Sequence, residues 1–226
     1  MLRPALAVGI AGGTGSGKTT IVRAIYEALE DEAALLDQDS YYRDLAHLPP
    51  AERRQVNFDH PDAFDNELML QHLAELIAGN PIEKPVYDYG GHVRTREVIR
   101  IEPRDVILVD GILLLSDARL RTVLNLKVFI DVAESVRFVR RLRRDTRERK
   151  RTVRAVLRQY VNTVRPMHEA YVQPSKRYAD IVLHGREQQR TQIAKLLDEI
   201  RAEVIRRRSL NFDTCASDDI GQRPMN

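Results

Sequence analysis

Residues Gly12 to Thr19 read GGTGSGKT, a glycine-rich run that ends in a lysine and a hydroxyl. Glycines let successive backbone N–H groups turn toward one point, and a helix beginning at the lysine adds its positive end. Such a run is built to cradle phosphate oxygens. The spacing satisfies G-x-x-x-x-G-K-[ST], in which the lysine reaches the β- and γ-phosphates of a nucleoside triphosphate and the hydroxyl ligates Mg²⁺. Gly12, Gly13, Thr14, Gly15, Ser16, Gly17, Lys18, Thr19 and Thr20 are therefore the candidate phosphate-binding residues, with Lys18 also a candidate catalytic group.

Carboxylates come next. VILVD ends in Asp110 after four apolar residues, the pattern of a strand whose terminal carboxylate holds Mg²⁺ directly or through water. LLDQDSYYRD places Asp37 and Asp39 two apart at the end of another apolar run. A carboxylate there can accept the proton of a hydroxyl that attacks phosphorus. The same pair could instead form a turn in which the aspartates bond their own backbone. NFDHPDAFDNE reads as a loop that caps the following helix, with Asp62 or Asp65 as N-cap. Tyr87, Asp88 and His92 offer stacking and hydrogen-bonding groups that suit a heterocyclic base, although tyrosines are also ordinary hairpin residues.

The most basic stretch is RFVRRLRRDTRERKRTVRAVLR, Arg137 to Arg158, where eleven Lys or Arg face two acids, a charge of +9. The whole chain carries +3, so everything outside this stretch is net −6. Charge that local favours one dedicated anion site over a broad nucleic-acid surface. Arginines at three- and four-residue spacing can close over a triphosphate, spread its transition-state charge and exclude water; a solvated face is the plain alternative.

The elements that must carry these groups follow from periodicity. ALAVGI, AALLD, DVILVD, LKVFID and ADIVL are short apolar runs typical of parallel strands covered on both faces. Helical segments alternate with them: Lys18 to Glu30, Phe64 to Ile77, the basic stretch, Thr152 to Val164, Pro166 to Val172 and Glu187 to Arg207. Gly90-Gly91 between two strand-like runs marks a hairpin inserted at about 84–101. The expected fold is α/β, a P-loop NTPase fold with a parallel sheet flanked by helices, an inserted β-hairpin and a helical Arg-rich lid at about 137–158. Residues 1–207 are expected to form one domain, and 208–226 a disordered polar tail. One cysteine, Cys215, excludes an intrachain disulfide and fits a reducing compartment. Without an apolar run near the ~18 residues needed to span a bilayer, no membrane contact and a cytoplasmic location are expected.

Taken in order, GIAGGTGSGKTT, QDSYYRDLAHLP, NFDHPDAFDNE, PIEKPVYDY, DGILLL, RRLRRDTRER and RPMHEAYVQPSKRYADIVL resemble the uridine–cytidine kinase family, over about residues 5 to 200. The resemblance implies an enzyme of pyrimidine salvage that moves the γ-phosphate of ATP or GTP to the 5′-hydroxyl of uridine or cytidine. It implies that Asp39 takes the hydroxyl proton and helps Thr19 and Asp110 hold Mg²⁺. Asp59 and Arg144 would grip the ribose hydroxyls, while Tyr42, Tyr87, His92 and Gln159 surround sugar and pyrimidine. Arg141, Arg149 and Arg151 match lid arginines that meet the ATP phosphates, whereas Arg137, Arg140 and Arg147 receive no role and are read as solvated. A homotetramer with feedback inhibition by pyrimidine triphosphates is implied as well. Two positions depart from the family pattern: Asp110 stands where Glu is usual, and Lys150 where Gly is usual. A glycine at the second permits a positive φ that Lys adopts only at a cost. The related phosphoribulokinase and pantothenate kinase families share the loop but do not combine FDHPDAFD with PVYDY. A nucleotide-binding, RNA-associated regulator is the reading from another class, disfavoured by the charge distribution.

Overall fold

The structure, a computed structural model, describes residues 5–185 and 189–218. Five strands, β1 (Leu6–Ala11), β2 (Ala33–Asp37), β5 (Val106–Asp110), β6 (Leu126–Asp131) and β7 (Ile181–His184), form a parallel sheet in the order β2-β5-β1-β6-β7. The period-2 alternation of side chains divides the core in two. Leu6, Val8 and Ile10 of β1, Val106 and Leu108 of β5, and Val128 and Ile130 of β6 meet Ile21, Val22 and Ile25 of helix α1 (Lys18–Leu29) on one face. Leu196, Ile200 and Val204 of the C-terminal helix complete that layer. On the other face, Ile107, Val109 and Phe129 pack with Met69, Leu73 and Leu76 of a later helix and with Leu113 to Leu115. The first run of the chain is thus a buried strand, since Ala5 to Ala11 are all buried.

Among the remaining elements, α2 (Pro50–Arg53) lies in the loop after β2, and α3 (Asn66–Ile77) is capped by Asp65, whose side chain accepts from the Leu68 N–H at 3.2 Å. The inserted hairpin is β3 (Ile82–Asp88) and β4 (Val93–Ile101), antiparallel, with a register shift between Pro85 and Tyr87. Helix α4 (Ala118–Val123) leads into β6.

The basic stretch, read from its sequence as a helix overlapping a second one from Thr152, is divided between two helices. Helix α5 (Glu134–Arg147) starts before it, and α6 (Val153–Gln159) begins after a break. Lys150 sits in that break with φ 53°, the left-handed conformation in which a glycine would be unstrained. From Val153 the helical path continues to Tyr178, with Pro166 and Pro174 inside it, where the sequence suggested two separate helices, Thr152 to Val164 and Pro166 to Val172. Two π-helical turns, Tyr160–Val164 and His168–Val172, precede those prolines. A proline lacks an N–H and crowds the carbonyl four residues back, and a wider turn moves that carbonyl aside. Arg165 and Gln173 accordingly donate their N–H groups five residues back, to Tyr160 O and His168 O. The C-terminal helix, Gln189–Asp218, runs past the expected end at Arg207, since no Gly or Pro occurs before Gly221. Of the tail read as disordered, 208–218 belong to this helix and 219–226 lie outside the described residues.

Candidate active site

The loop Gly12–Gly17 joins the carboxyl end of β1 to α1, where ligands of parallel sheets bind. Gly15, at φ 76°, lies so close to the Arg137 carbonyl that a Cβ would collide with it, and Gly17 caps α1 at φ 94°. The loop's backbone is thereby held on the first turns of α5. Lys18 is buried, its Nζ 3.4 Å from Gly13 O. Burial pushes its pKa down, against the opposing charges of Asp110 and Asp39. Thr19 Oγ1 donates to Asp110 Oδ2 at 2.9 Å. Thr20 is exposed one residue further along α1.

The two aspartates of LLDQD have separate fates. Asp37, opposite Asp110 in the β2–β5 register, caps the 3₁₀ turn Gln38–Tyr41: its Oδ2 accepts from Ser40 N at 3.0 Å, while Oδ1 pairs with Lys84 Nζ. Asp39 stays open to solvent at the cleft edge. Its pKa is pushed up to about 6, first by the protein packed around it and then by the Asp110 charge, with Lys18 pulling the other way. Burial also raises Asp110, which Lys18 and the Thr19 hydroxyl partly offset. A hydroxyl and carboxylates converging beside the phosphate loop are hard oxygen donors, a set that fits Mg²⁺ shared with substrate phosphates and water. The shorter Asp110 still reaches Thr19.

Facing this edge is an aromatic wall. Tyr42 contacts Phe64, Phe58 and Tyr87 at ring-centroid distances of 4.4, 5.3 and 5.3 Å, and Phe58 stacks on His92 at 4.7 Å. Tyr89 adds an edge contact to Tyr87 at 5.5 Å. Tyr42, Tyr87 and His92 are thus brought together, and Phe58 and Tyr89, which lie in NFDHPDAFDNE and PVYDY without a role assigned from sequence, join them. The charges of Asp39 and Asp59 both act on Tyr42, which ties the wall to the carboxylates. Asp59 is itself raised by burial, with Arg141 acting against this, and Thr163 Oγ1 donates to it at 3.4 Å.

The arginines reach the site from α5 and the break after it. Arg141 Nη1 donates to Thr14 Oγ1 at 3.0 Å, and its Nη2 to Gln159 Oε1 at 3.2 Å. Arg151 Nη1 donates to the same oxygen at 2.7 Å, so Gln159 here faces the lid arginines. Arg144 and Arg149 extend toward Asp145. Two arginines read as solvated are not. Arg137 is 4% exposed and lies against Gly13 with its Nε donating to Val132 O, while Arg140 Nη1 reaches Ser16 O at 3.4 Å. Helix α5 begins three residues before Arg137, which turns that side chain inward beneath the loop; Arg147 is exposed as expected.

A phosphate loop, facing carboxylates and a flanking set of arginines on a five-stranded parallel sheet define a P-loop phosphotransferase. Residues 7–192 match the model of the phosphoribulokinase/uridine kinase family. The chain is 52% identical over 184 residues to a uridine kinase of Anoxybacillus flavithermus, covering 81% of this chain and 87% of that protein. It is 49% identical over 198 residues to a uridine kinase of Halalkalibacterium halodurans, covering 87% and 94%. Among solved structures, a D-glycerate 3-kinase from Cryptococcus neoformans shares the fold at TM-score 0.61 and 18% identity, over 82% of this chain and 88% of that one. The chain belongs to the phosphoribulokinase/uridine kinase family.

Proposed function

We propose that this protein is a uridine/cytidine kinase that transfers the γ-phosphate of ATP or GTP to the nucleoside 5′-hydroxyl. The observation that carries this reading is the aromatic wall of Tyr42, Phe58, Tyr87 and His92 standing beside Asp39. An aromatic cluster next to a proton-accepting carboxylate suits a heterocycle whose sugar hydroxyl must be held in line. Half-buried Asp59 and Arg144 would bind the ribose hydroxyls, with Arg141, Arg149 and Arg151 on the donor phosphates.

In this reading, a carboxylate oxygen of Asp39 takes the 5′-hydroxyl proton as that oxygen bonds to the γ-phosphorus. The bond from phosphorus to the β,γ-bridging oxygen breaks, and the nucleoside diphosphate leaves with the electron pair. Lys18 and the lid arginines carry the charge gathering on the transferred group. Mg²⁺ held by Thr19, Asp110 and Asp39 would neutralise phosphate charge when bound. Among the described residues no helix is long and apolar enough to cross a membrane. A cytoplasmic salvage role and a homotetramer belong to the same proposal.

The test is a steady-state assay over the common nucleosides with MgATP and MgGTP, repeated with Asp39→Asn. Turnover of uridine or cytidine, reduced about 10²- to 10⁴-fold in the variant while nucleotide binding persists, is expected. Phosphorylation of another small alcohol, with no response to either pyrimidine nucleoside, would overturn the reading.

A further inference from the structure

The basic lid is organised around one acid. Asp145 is 0% exposed, although it lies in the most cationic stretch of the chain. Arg144 Nε donates to its Oδ1 at 3.1 Å, and Arg149 Nη1 stands 3.5 Å from the same oxygen. Arg141 Nε and Arg151 Nη1 each stand 3.6 Å from Oδ2. The four approach by different routes. Arg141 is one helical turn before Asp145 and Arg149 one turn after, and Arg144 is its neighbour. Arg151 returns through the left-handed Lys150, its N–H donating to Asp145 O at 3.0 Å.

One carboxylate among four guanidinium groups leaves an excess of positive charge, which the Asp59 charge acting on Arg141 and Arg151 offsets only in part. Without Asp145 the arginines would repel one another outward; with it they converge but remain short of counter-charge. The array is also slack. Asp145 Oδ2 and Arg141 Nε are both buried, face each other, and have no hydrogen-bond partner among the described residues. A polyphosphate is the anion that would complete such a set.

We propose that Asp145 is a positioning residue whose single carboxylate is shared by the donor and acceptor halves of the site and couples them. It rests on the proposed kinase reading, which gives Arg141, Arg149 and Arg151 to the donor and Arg144 to the acceptor sugar. A polyphosphate that engages the first three leaves the Asp145 charge to Arg144, which fixes that guanidinium for the nucleoside. By linkage, the acceptor must tighten the donor by the same factor.

The experiment is calorimetric titration of uridine into the full chain, with and without saturating inorganic tripolyphosphate, for wild type and Asp145→Asn. Wild type should bind uridine about fivefold or more tightly when tripolyphosphate is present. In Asp145→Asn this ratio should fall to about one, whereas a merely structural residue would weaken both ligands and leave the ratio intact. Should the buried substitution prevent folding, Arg144→Gln at a half-buried position serves instead: its residual uridine binding should no longer respond to tripolyphosphate. A ratio kept in the variant overturns the proposal. So does wild-type uridine binding that ignores tripolyphosphate, which refutes the coupling alone. Wild type that binds no uridine refutes the nucleoside reading and the coupling with it.

Discussion

Replacing Lys84 by Met should expose how the β3–β4 hairpin is fastened to the turn that bears Asp39. Lys84 is a buried cation on β3 whose Nζ pairs with Asp37 and stands 3.2 Å from Ser40 Oγ. Methionine keeps most of the volume and leaves Asp37 only its Ser40 donors. Removing one partner of a fully buried pair costs about 3–5 kcal/mol, and of a surface pair about 0–1 kcal/mol. Here the Lys84 side chain is 10% exposed and that of Asp37 36%, so the pair lies between the limits. A loss of about 2 kcal/mol in urea unfolding, at unchanged m-value, is expected. The companion Asp37→Asn/Lys84→Met protein leaves no orphan charge and should recover about 1 kcal/mol relative to additivity. Because Asp37 caps the turn bearing Asp39, kcat should fall more than the KM for ATP rises. Additive losses within about 0.5 kcal/mol in the double-mutant cycle would refute the coupling of hairpin to turn.

Three further outcomes follow from the same geometry. His168 is buried and its pKa falls to about 4, through desolvation first and the nearby Arg137 charge second, with Gln173, Glu134 and Glu169 opposing. The folded state therefore binds fewer protons than the unfolded state between about pH 6.5 and 4, so this residue's contribution is intact above that window and is lost as pH falls through it. The loss is up to about 3 kcal/mol, and the stability of His168→Gln in chemical denaturation should fall less across the window than that of wild type. At Lys150, φ 53° costs a side-chain-bearing residue about 1 kcal/mol, partly offset by the unfolded-state entropy of glycine. Lys150→Gly should match or exceed wild-type stability by up to about 1 kcal/mol, and an equal gain from Lys150→Ala would exclude strain as the cause. Gly13→Ala would drive a Cβ into Arg137 Nη1 and the His168 ring, at 2.6 and 2.9 Å, and should weaken MgATP binding more than uridine binding in equilibrium titration.

Those features written as local patterns were legible in the sequence. AALLD and LKVFID are strands to the residue, because the central residues covered on both faces, AALL and VFI, are apolar. The glycine loop between strand and helix was legible because backbone chemistry restricts residue choice there, and Asp110 because it ends an apolar run. What escaped depends on partners distant in sequence. Lys84 reads as an ordinary charged strand residue until it meets Asp37, 47 positions away. Arg137 and Arg140 read as a solvated face until the loop from Gly13 to Ser16 lies on them. Asp145 left a faint trace, since Arg141 and Arg149 stand at i−4 and i+4 from it; the surrounding cations masked that pattern. The segments read as Thr152 to Val164 and Pro166 to Val172 run on as one helical path, because periodicity does not show that a wider turn can absorb a proline.

Those two π turns also set a phase. Each inserts about one residue beyond the α-helical repeat, which rotates everything past it by about 100° around the helix axis. Gln159 and Thr163, which meet Arg141 and Asp59, begin or occupy the first wide turn; His168, under the phosphate loop, follows it and begins the second. One length of chain thereby aims side chains at the arginines of α5, at Asp59 and at the underside of the Gly12–Gly17 loop, directions a straight α-helix would not serve with the same spacing. A single-residue deletion within 160–164 would therefore be absorbed by restoring an ordinary turn and leave His168 in its place, whereas straightening the turn at full length would swing His168 about 100° away.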